Sequence, residues 1–159
     1  MKHLSPEFWS KRYQDQQTGW DLGRVSPPLK EYINQLTDKT IKILIPGCGR
    51  GYEGLYLLQK GFKNVFFLDF SQEAINEIKK KNSLISDNQL ICEDYFKLKG
   101  CYDLILEQTM FCAIDPTLRA EYVCQTSDLL KKNGKVVGLL FNRDFEGGPP
   151  YGGNKKDYD

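Results

Sequence analysis

The stretch ILIPGCGRGYE, residues 43–53, is an apolar run that breaks into glycines at Gly47, Gly49 and Gly51. A short, uninterrupted, β-branched run of this kind predicts a strand that is covered on both faces. Glycines directly after such a strand predict a backbone that turns tightly beneath a nucleotide before a helix begins. This stretch therefore predicts an α/β fold, and it raises the question of which nucleotide the loop binds.

Strand and helix patterns alternate along the rest of the chain. Strands that alternate with helices, each strand apolar throughout, predict a parallel sheet with helices on both faces. Right-handed crossovers and a chain reversal after the third strand predict a Rossmann-like, doubly wound sheet of strand order 3-2-1-4-5, with a binding crevice at the carboxyl ends of the strands. The predicted strands are residues 41–46, 64–69, 88–94, 102–108 and 135–141, and the predicted helices are residues 5–15, 26–36, 52–61, 71–82 and 117–132.

Capping residues support four of these helices. Ser5, Ser26 and Ser71 are each placed to cap a helix N-terminus, and Gly61 is placed to end a helix. The lysines at 79–81 lie in the last turn of the helix that Ser71 begins, where positive charge complements the helix dipole. We therefore interpret the lysine run as a helix end and not as a binding patch.

Composition excludes several classes of function. The 159 residues carry a formal net charge of +1, which gives no electrostatic attraction to nucleic acid or anionic lipid. The five cysteines form no CxxC pair and the one histidine is His3, so we expect no disulfide framework and no metal site, and we interpret the cysteines as buried free thiols. No segment resembles a signal peptide or a membrane span. We expect a cytoplasmic monomer with one domain, residues 1–159, in which residues 1–38 form a helical lid.

The residues after the glycines exclude two common nucleotide sites. A P-loop ends in GK[ST], whereas Gly51 is followed by Tyr52 and Glu53. A dinucleotide fingerprint needs a further glycine at position 52, where a helix begins beneath a pyrophosphate. Glu53 also makes this helix N-terminus unfavourable for phosphate. The loop therefore predicts a ligand that has a nucleoside but no phosphate.

Two carboxylates follow the predicted strands where a nucleoside needs them. Asp69 ends the second strand about twenty residues after the glycines, where it can accept hydrogen bonds from both ribose hydroxyls. Asp94 lies just after the third strand, where it can accept from an adenine amino group while Tyr95 packs on the ring. The ordered set formed by Gly47, Gly49, Gly51, Asp69 and Asp94 resembles the S-adenosylmethionine site of Rossmann-like methyltransferases.

Longer motifs narrow the resemblance. The chain resembles the thiopurine S-methyltransferase family over essentially its whole length, through the ordered motifs FWSKRYQDQQTGWDLGRVSPPL, LIPGCGRGYE, FLDFS, EDYF, EQTMFCAIDPTLRAEYV and EGGPPYGG. Two stretches, WDLGR and FCAIDPTLRAEY, are more similar to plant halide and thiol methyltransferases than to the thiopurine enzymes. Family members continue past GGPPY through another helix and a final pair of strands. We therefore expect either a short protein or a fragment that lacks the final strand pair.

The resemblance implies how S-adenosylmethionine is held. Aromatic side chains at Trp9, Tyr13 and Trp20 line the cofactor and close the N-terminal segment over it, and Gly47 contacts its methionine part. Trp20 lies in a polar, glycine-flanked loop, and an aromatic face there suits a sulfonium cation.

The same resemblance assigns the remaining cofactor contacts. Asp69 contacts the ribose, and Asp94 and Tyr95 contact the adenine. Gln108 also lines the cofactor, at a position where thiopurine enzymes have an arginine and halide-type enzymes a tyrosine.

The expected reaction is methyl transfer to a small soft nucleophile, such as a thiolate, a halide or a thiopurine-like sulfur, by in-line displacement. Such acceptors need alignment and exclusion of water more than they need a base. No catalytic residue is assigned, and the polar residues expected at the mouth of the site, Asp21, Arg24, Glu107 and Arg143, are interpreted as structural. Two alternatives stay open: a cofactor-binding sensor or pseudoenzyme without turnover, and an O- or N-methyltransferase of small molecules.

Overall fold

The sheet has the predicted topology. A computed structural model describes residues 4–159, so His3 lies outside the described part of the chain. Five strands pair in the order β3-β2-β1-β4-β5, and every neighbouring pair is parallel. The predicted Rossmann-like sheet and its strand order are confirmed. The strands are β1 (Ile43–Pro46), β2 (Val65–Asp69), β3 (Leu90–Cys92), β4 (Tyr102–Gln108) and β5 (Leu130–Leu139).

Six α-helices surround this sheet within the described residues. Short 3₁₀ turns at Asp87–Gln89, Phe111–Ala113 and Pro116–Leu118 complete the connections. The α-helices are α1 (Pro6–Gln14), α2 (Pro27–Gln35), α3 (Tyr52–Gln59), α4 (Gln72–Lys81), α5 (Arg119–Leu129) and α6 (Lys155–Tyr158).

The predicted caps are present with one exception. The Ser5 and Ser71 hydroxyls each accept a backbone N–H from the first turn of α1 and α4, at 3.4 Å. The Ser26 side chain caps nothing, and its backbone N–H donates instead to Glu53 Oε1 at 2.9 Å. Ser26 thus ties the start of α2 to the start of α3.

Strand β1 lies at the centre of the core. All four of its residues are buried, and their alternation supplies both faces of the sheet. Ile43 and Ile45 pack in the cluster that contains Ile78 of α4, whereas Leu44 packs in the cluster that contains Leu129 of α5. A strand covered on both faces needs apolar residues at every position, which explains its uninterrupted run.

The C-terminal half departs from the prediction. Helix α5 ends at Leu129 instead of continuing to residue 132, and β5 begins at once. The fifth strand, β5, is the edge of the sheet, and Val136 and Leu139 are 41% and 38% exposed. Its apolar side chains are exposed because, within residues 4–159, no strand pairs with its outer edge.

The cysteine interpretation is correct for pairing and wrong for burial. All five cysteines are free. Cys48 and Cys112 are buried, but Cys92, Cys101 and Cys124 are exposed, because they lie in an edge strand, a loop and the outer face of a helix.

Two further features bear on function. In the described part of the chain, no helix is long and apolar enough to cross a bilayer. No group of three or more His, Cys, Asp or Glu side chains there is arranged to hold a metal ion.

The contact between α3 and β2 sets where the glycine loop ends. A Cβ on Gly54 of α3 would lie 2.2 Å from the ring of Phe67, which is fully buried in β2. Only a glycine lets the helix approach the sheet this closely, and the approach fixes the N-terminus of α3 at the carboxyl edge of the sheet.

Replacing this glycine should therefore destabilise the fold. We expect Gly54→Ala to lower the free energy of unfolding by about 1–3 kcal/mol, because the new methyl group must displace a packed ring. Urea denaturation followed by circular dichroism measures the change. Gly19→Ala is the matched control, since nothing lies within 4 Å of a Cβ at that position. Equal effects of the two substitutions would show that the α3–β2 contact is not tight.

Candidate functional site

Two neighbouring cavities lie at the carboxyl edge of the sheet. The larger, which we call the groove, has a volume of about 840 Å³ and runs between α1 and the segments 70–73 and 92–97, which follow β2 and β3. The smaller, the inner compartment, has a volume of about 60 Å³ and lies between the loop at 20–24, the glycine loop at 45–53 and the end of β4 at 106–109. The predicted crevice is therefore present, and it is divided in two.

The groove is predominantly acidic. Carboxylates outnumber cations along its walls, which disfavours ligands that carry phosphate and suits neutral or cationic ligands. The carboxylates are Glu7, Asp15, Glu73, Glu93 and Asp94, and the cations are Lys11 and Lys97.

Asp94 and Tyr95, predicted to act together, point in different directions. Asp94 lines the groove, and its Oδ1 accepts the N–H of Phe96 at 3.0 Å. The structure corrects the prediction for Tyr95: it is 4% exposed, stacks on Tyr122 with 5.3 Å between ring centroids, and shares a 2.6 Å hydrogen bond with Thr126. The chain turns directly after Asp94, whose carbonyl oxygen accepts the N–H of Lys97 at 3.0 Å, and Tyr95 packs in the core, so only Asp94 reaches the groove.

An aromatic residue lines the groove elsewhere. Phe70 follows Asp69 directly and lies in the groove wall. The prediction missed it, although an apolar side chain beyond the end of a strand could have indicated a ligand contact.

Asp69 is a buried link between the two cavities. Its Oδ2 accepts the N–H of Gly49 at 2.8 Å, and its Oδ1 accepts the N–H of Ser71 at 2.9 Å. Gly49 lines the inner compartment, and Gln72, which follows Ser71, lines the groove. Burial raises the pKa of Asp69, against the lowering effect of these two backbone donors.

Aromatic side chains cover the inner compartment. Trp20 contacts Trp9 and Tyr13 edge to face, with centroid distances of 5.4 and 6.0 Å. Trp20 and Tyr13 line the compartment, whereas Trp9 supports Trp20 from its other side. We call the segment that carries these rings, residues 5–26, the cover.

Tyr13 rests on the glycine loop. A Cβ on Gly49 would lie 2.9 Å from the Tyr13 hydroxyl, so this close approach requires glycine. Burial raises the pKa of the Tyr13 phenol, and the nearby carboxylate of Asp69 raises it further. Tyr13 is therefore a neutral hydrogen-bonding group and not a base at neutral pH.

Two residues form the floor of the compartment at the end of β4. Gln108 lines it, and the Oε1 atom of its amide is buried without a hydrogen-bond partner. Thr109 follows with a φ of +66°, which is an outlier for a β-branched residue. Thr109 was missed at the sequence level, because nothing in its type or its neighbours signals a strained turn.

Glu107 holds this turn from beneath. It is 1% exposed, and its Oε1 accepts the N–H of Phe111 at 2.8 Å. Burial raises the pKa of Glu107 to about 7. The turn places Met110 against the glycine loop, where a Cβ on Gly47 would lie 2.8 Å from the Met110 Cβ.

The other residues expected at the mouth divide into two groups. Asp21 and Arg24 line the inner compartment. Arg143 lies apart from both cavities, paired with Gly153 by an isolated bridge and placed 4.8 Å from the centroid of the Phe145 ring. Glu107 lies below the floor and not at the mouth.

The inner compartment has no free base among the described residues that line it. Asp21 pairs with Arg50 at 3.0 Å, and Glu53 accepts the backbone N–H of Ser26. The Cys48 thiol is fully buried, and burial raises its pKa well above the ordinary value. The site is suited to an acceptor that arrives already ionised.

The sequence matches a family of known proteins. The profile of the thiopurine S-methyltransferase family matches residues 4–157. The chain is 31% identical to a probable thiol methyltransferase 2 of Arabidopsis thaliana, over all of this chain and 73% of the relative. It is 29% identical to a thiocyanate methyltransferase 1 of Brassica oleracea, over 90% of this chain and 66% of the relative. It is 26% identical to a thiopurine S-methyltransferase of Pseudomonas putida (strain GB-1), over 97% and 81%.

Solved structures share the fold. A magnesium protoporphyrin IX methyltransferase from Synechocystis PCC 6803, crystallised with bound S-adenosylmethionine, superposes with a TM-score of 0.75. That match covers 96% of this chain and 79% of the other, at 13% sequence identity.

The raised pKa of Glu107 should make stability depend on pH. The unfolded pKa is about 4.5 and the folded pKa about 7, so the contribution of Glu107 is fully present below 4.5 and is lost as pH rises through 7. Between pH 4.5 and pH 8, we expect the wild type to lose on the order of 3 kcal/mol of unfolding free energy relative to Glu107→Gln.

Urea denaturation across this pH range measures the difference. Glu121→Gln, at an exposed position on α5, is the control and should follow the wild type. A pH-independent gap between the wild type and Glu107→Gln would contradict a buried, protonated Glu107.

Proposed function

The chain belongs to the thiopurine S-methyltransferase family of S-adenosylmethionine-dependent methyltransferases, and we propose that it transfers the methyl group to a small, soft, anionic nucleophile. The acceptor class includes thiolates, hydrosulfide, halides and thiocyanate. The observation that carries the proposal is the inner compartment, which is small, has Tyr13 and Trp20 in its walls and has no free base among its described lining residues.

The residues at the sheet edge fit S-adenosylmethionine. The unpartnered Oε1 of Gln108 is an acceptor for the cofactor's ammonium group, and a buried acceptor left unpaired costs about 1–3 kcal/mol. Gly47 lines the inner compartment without a side chain, so its backbone can approach the methionine part. The acidic groove suits a nucleoside without phosphate.

Each cavity takes one part of the cofactor. We assign the adenosine to the groove, with Asp94 and Phe70 beside the base and Asp69 at the ribose, and the sulfonium end to the inner compartment. When bound, the cofactor supplies a methyl group already activated by its positive sulfur. The faces of Trp20 and Tyr13 stabilise that charge by cation–π attraction of about 0.5–2 kcal/mol.

The protein aligns the two reactants and excludes water from the inner compartment. The cover excludes water from the inner compartment, and exclusion of water favours an attacking anion whose charge is lost in the reaction. Holding both reactants in line can supply effective molarities of about 10⁵ M or more. Because no described group there is free to take a proton, we infer that the acceptor ionises before it reacts.

The names of the relatives support the class of acceptor, and the exposed cysteines of this chain support the cellular compartment. The matching relatives are named as thiol, thiocyanate and thiopurine methyltransferases, and each of these names specifies an acceptor that contains sulfur. A compartment of about 60 Å³ favours small acceptors over bulky ones. The exposed free thiols of Cys92, Cys101 and Cys124 suit a reducing compartment, so we propose a cytoplasmic protein.

The first test is ligand choice. We expect S-adenosylhomocysteine to bind in the micromolar range by calorimetry, and NAD and ATP to bind much more weakly, because the groove walls are acidic. Asp94→Ala should weaken S-adenosylhomocysteine binding by about 1–3 kcal/mol. Asp87→Ala removes an exposed carboxylate that pairs with Lys79, away from both cavities, and should leave affinity unchanged. Tighter binding of NAD would overturn the cofactor assignment.

The second test is the acceptor. Incubation with labelled cofactor and a panel of thiols, hydrosulfide, thiocyanate, iodide, phenols and amines should give transfer to the soft anions. For alkyl thiols the rate should rise with pH towards the thiol pKa near 8.5, because the free acceptor and not the enzyme loses the proton. Transfer only to phenols or amines would contradict the proposal, and tight cofactor binding without any transfer would indicate a sensor.

A further inference from the structure

The two cavities differ greatly in size. Sites for small ligands usually have volumes of about 300–1,000 Å³. The groove, at about 840 Å³, lies within this range, whereas the inner compartment, at about 60 Å³, is far below it. With the adenosine assigned to the groove, the nucleoside can enter directly. The amino-acid end can enter the inner compartment only when the cover moves.

One ion pair joins the cover to the glycine loop beside the inner compartment. Asp21 follows Trp20 in the cover, and its Oδ2 lies 3.0 Å from Nη1 of Arg50 in the glycine loop. Arg50 is itself anchored, since its Nε lies 3.2 Å from Oε2 of Glu77 on α4. Among the ion pairs of residues 4–159, the Asp21–Arg50 pair is the one that joins the cover to the edge of the sheet.

Asp21 also shapes its own loop. Its Oδ1 accepts the N–H of Gly23 at 2.7 Å, and its Oδ2 lies 3.5 Å from the hydroxyl of Tyr52, at the start of α3. The Asp21 side chain is 11% exposed and that of Arg50 is 29% exposed. The carboxylate therefore fixes the loop that carries Trp20, while enough solvent reaches the pair for salt to weaken it.

We propose that the Asp21–Arg50 ion pair positions Trp20 over the inner compartment and thereby sets the rate at which the cofactor enters and leaves. The inference rests on the proposed function. The ion pair joins the cover to the glycine loop, and we expect the same pair to hold the cover over a bound cofactor, so that it favours the covered compartment with and without the ligand. Its loss therefore raises the entry rate and the exit rate together and leaves the affinity nearly unchanged.

Tryptophan fluorescence follows this motion directly, because both tryptophans of the chain, Trp9 and Trp20, lie in the cover. Stopped-flow mixing with S-adenosylhomocysteine gives the association rate, and dilution or displacement gives the dissociation rate. For Asp21→Asn we expect both rates to rise about two- to fivefold, the range set by a partly exposed ion pair, with the dissociation constant within about twofold of wild type. The wild-type rates should also rise with added salt, and those of Asp21→Asn should not.

Two further variants test whether loss of the ion pair itself causes the rate changes. Arg50→Gln removes the other partner and should reproduce both rate changes, and the double variant should add nothing, because one interaction has been lost in all three. Glu77→Gln is the matched control. It removes a carboxylate from the same arginine but leaves the contact with the cover, so both rates should stay within about twofold of wild type.

The outcomes separate this inference from the proposed function. If Asp21→Asn raises only the dissociation rate and weakens binding accordingly, Asp21 contacts the ligand directly and the positioning role is wrong. Unchanged rates in both Asp21→Asn and Arg50→Gln, with S-adenosylhomocysteine still bound, overturn this inference alone. No binding of S-adenosylhomocysteine to the wild type overturns the proposed function and this inference with it.

Discussion

The carboxylate of Asp69 holds the functional edge of the sheet together. Its two oxygens accept one backbone N–H from the glycine loop and one from the start of α4, so a single side chain fixes both segments that border the cavities. Removing a carboxylate from water is costly, and only well-placed donors offset that cost. The glycine loop, the cover that rests on it through Tyr13, and the start of α4 all depend on this one buried acid.

The fold followed from the sequence because local signals and the global arrangement agree. Strand β1 is apolar at every position because both of its faces are buried, and the caps at Ser5 and Ser71 mark the starts of α1 and α4. The local signals and the fold disagree near the C-terminal end, where Leu130 continues the apolar pattern of α5 but belongs to β5. An apolar run has no feature that distinguishes a covered strand from an edge strand, so the exposure of Val136 could not be read from it.

The site was only partly predictable. Motif spacing identified which strand ends carry polar groups, and the structure places Asp94, Gly49, Gln108 and Trp20 in the walls of the two cavities. Side-chain direction was the missing information. Tyr95 lies next to Asp94 in sequence, yet it packs under α5. The positive φ of Thr109 belongs to a turn that the buried side chain of Glu107 holds through the N–H of Phe111.

The exposed edge strand affects how the protein behaves in bulk solution. The outer edge of β5 is unpaired within residues 4–159 and carries the exposed apolar side chains of Val136 and Leu139, which is a template for pairing with another chain. Lys132 and Lys135 lie along the same strand, and repulsion between these lysines of two copies opposes such pairing, whereas Lys131 is paired with Asp103 at 2.8 Å. Because salt screens that repulsion over about 10 Å at 0.1 M, colloidal stability is controlled by ionic strength. We therefore expect high-salt buffers, which usually discourage adventitious contacts, to favour self-association of this chain.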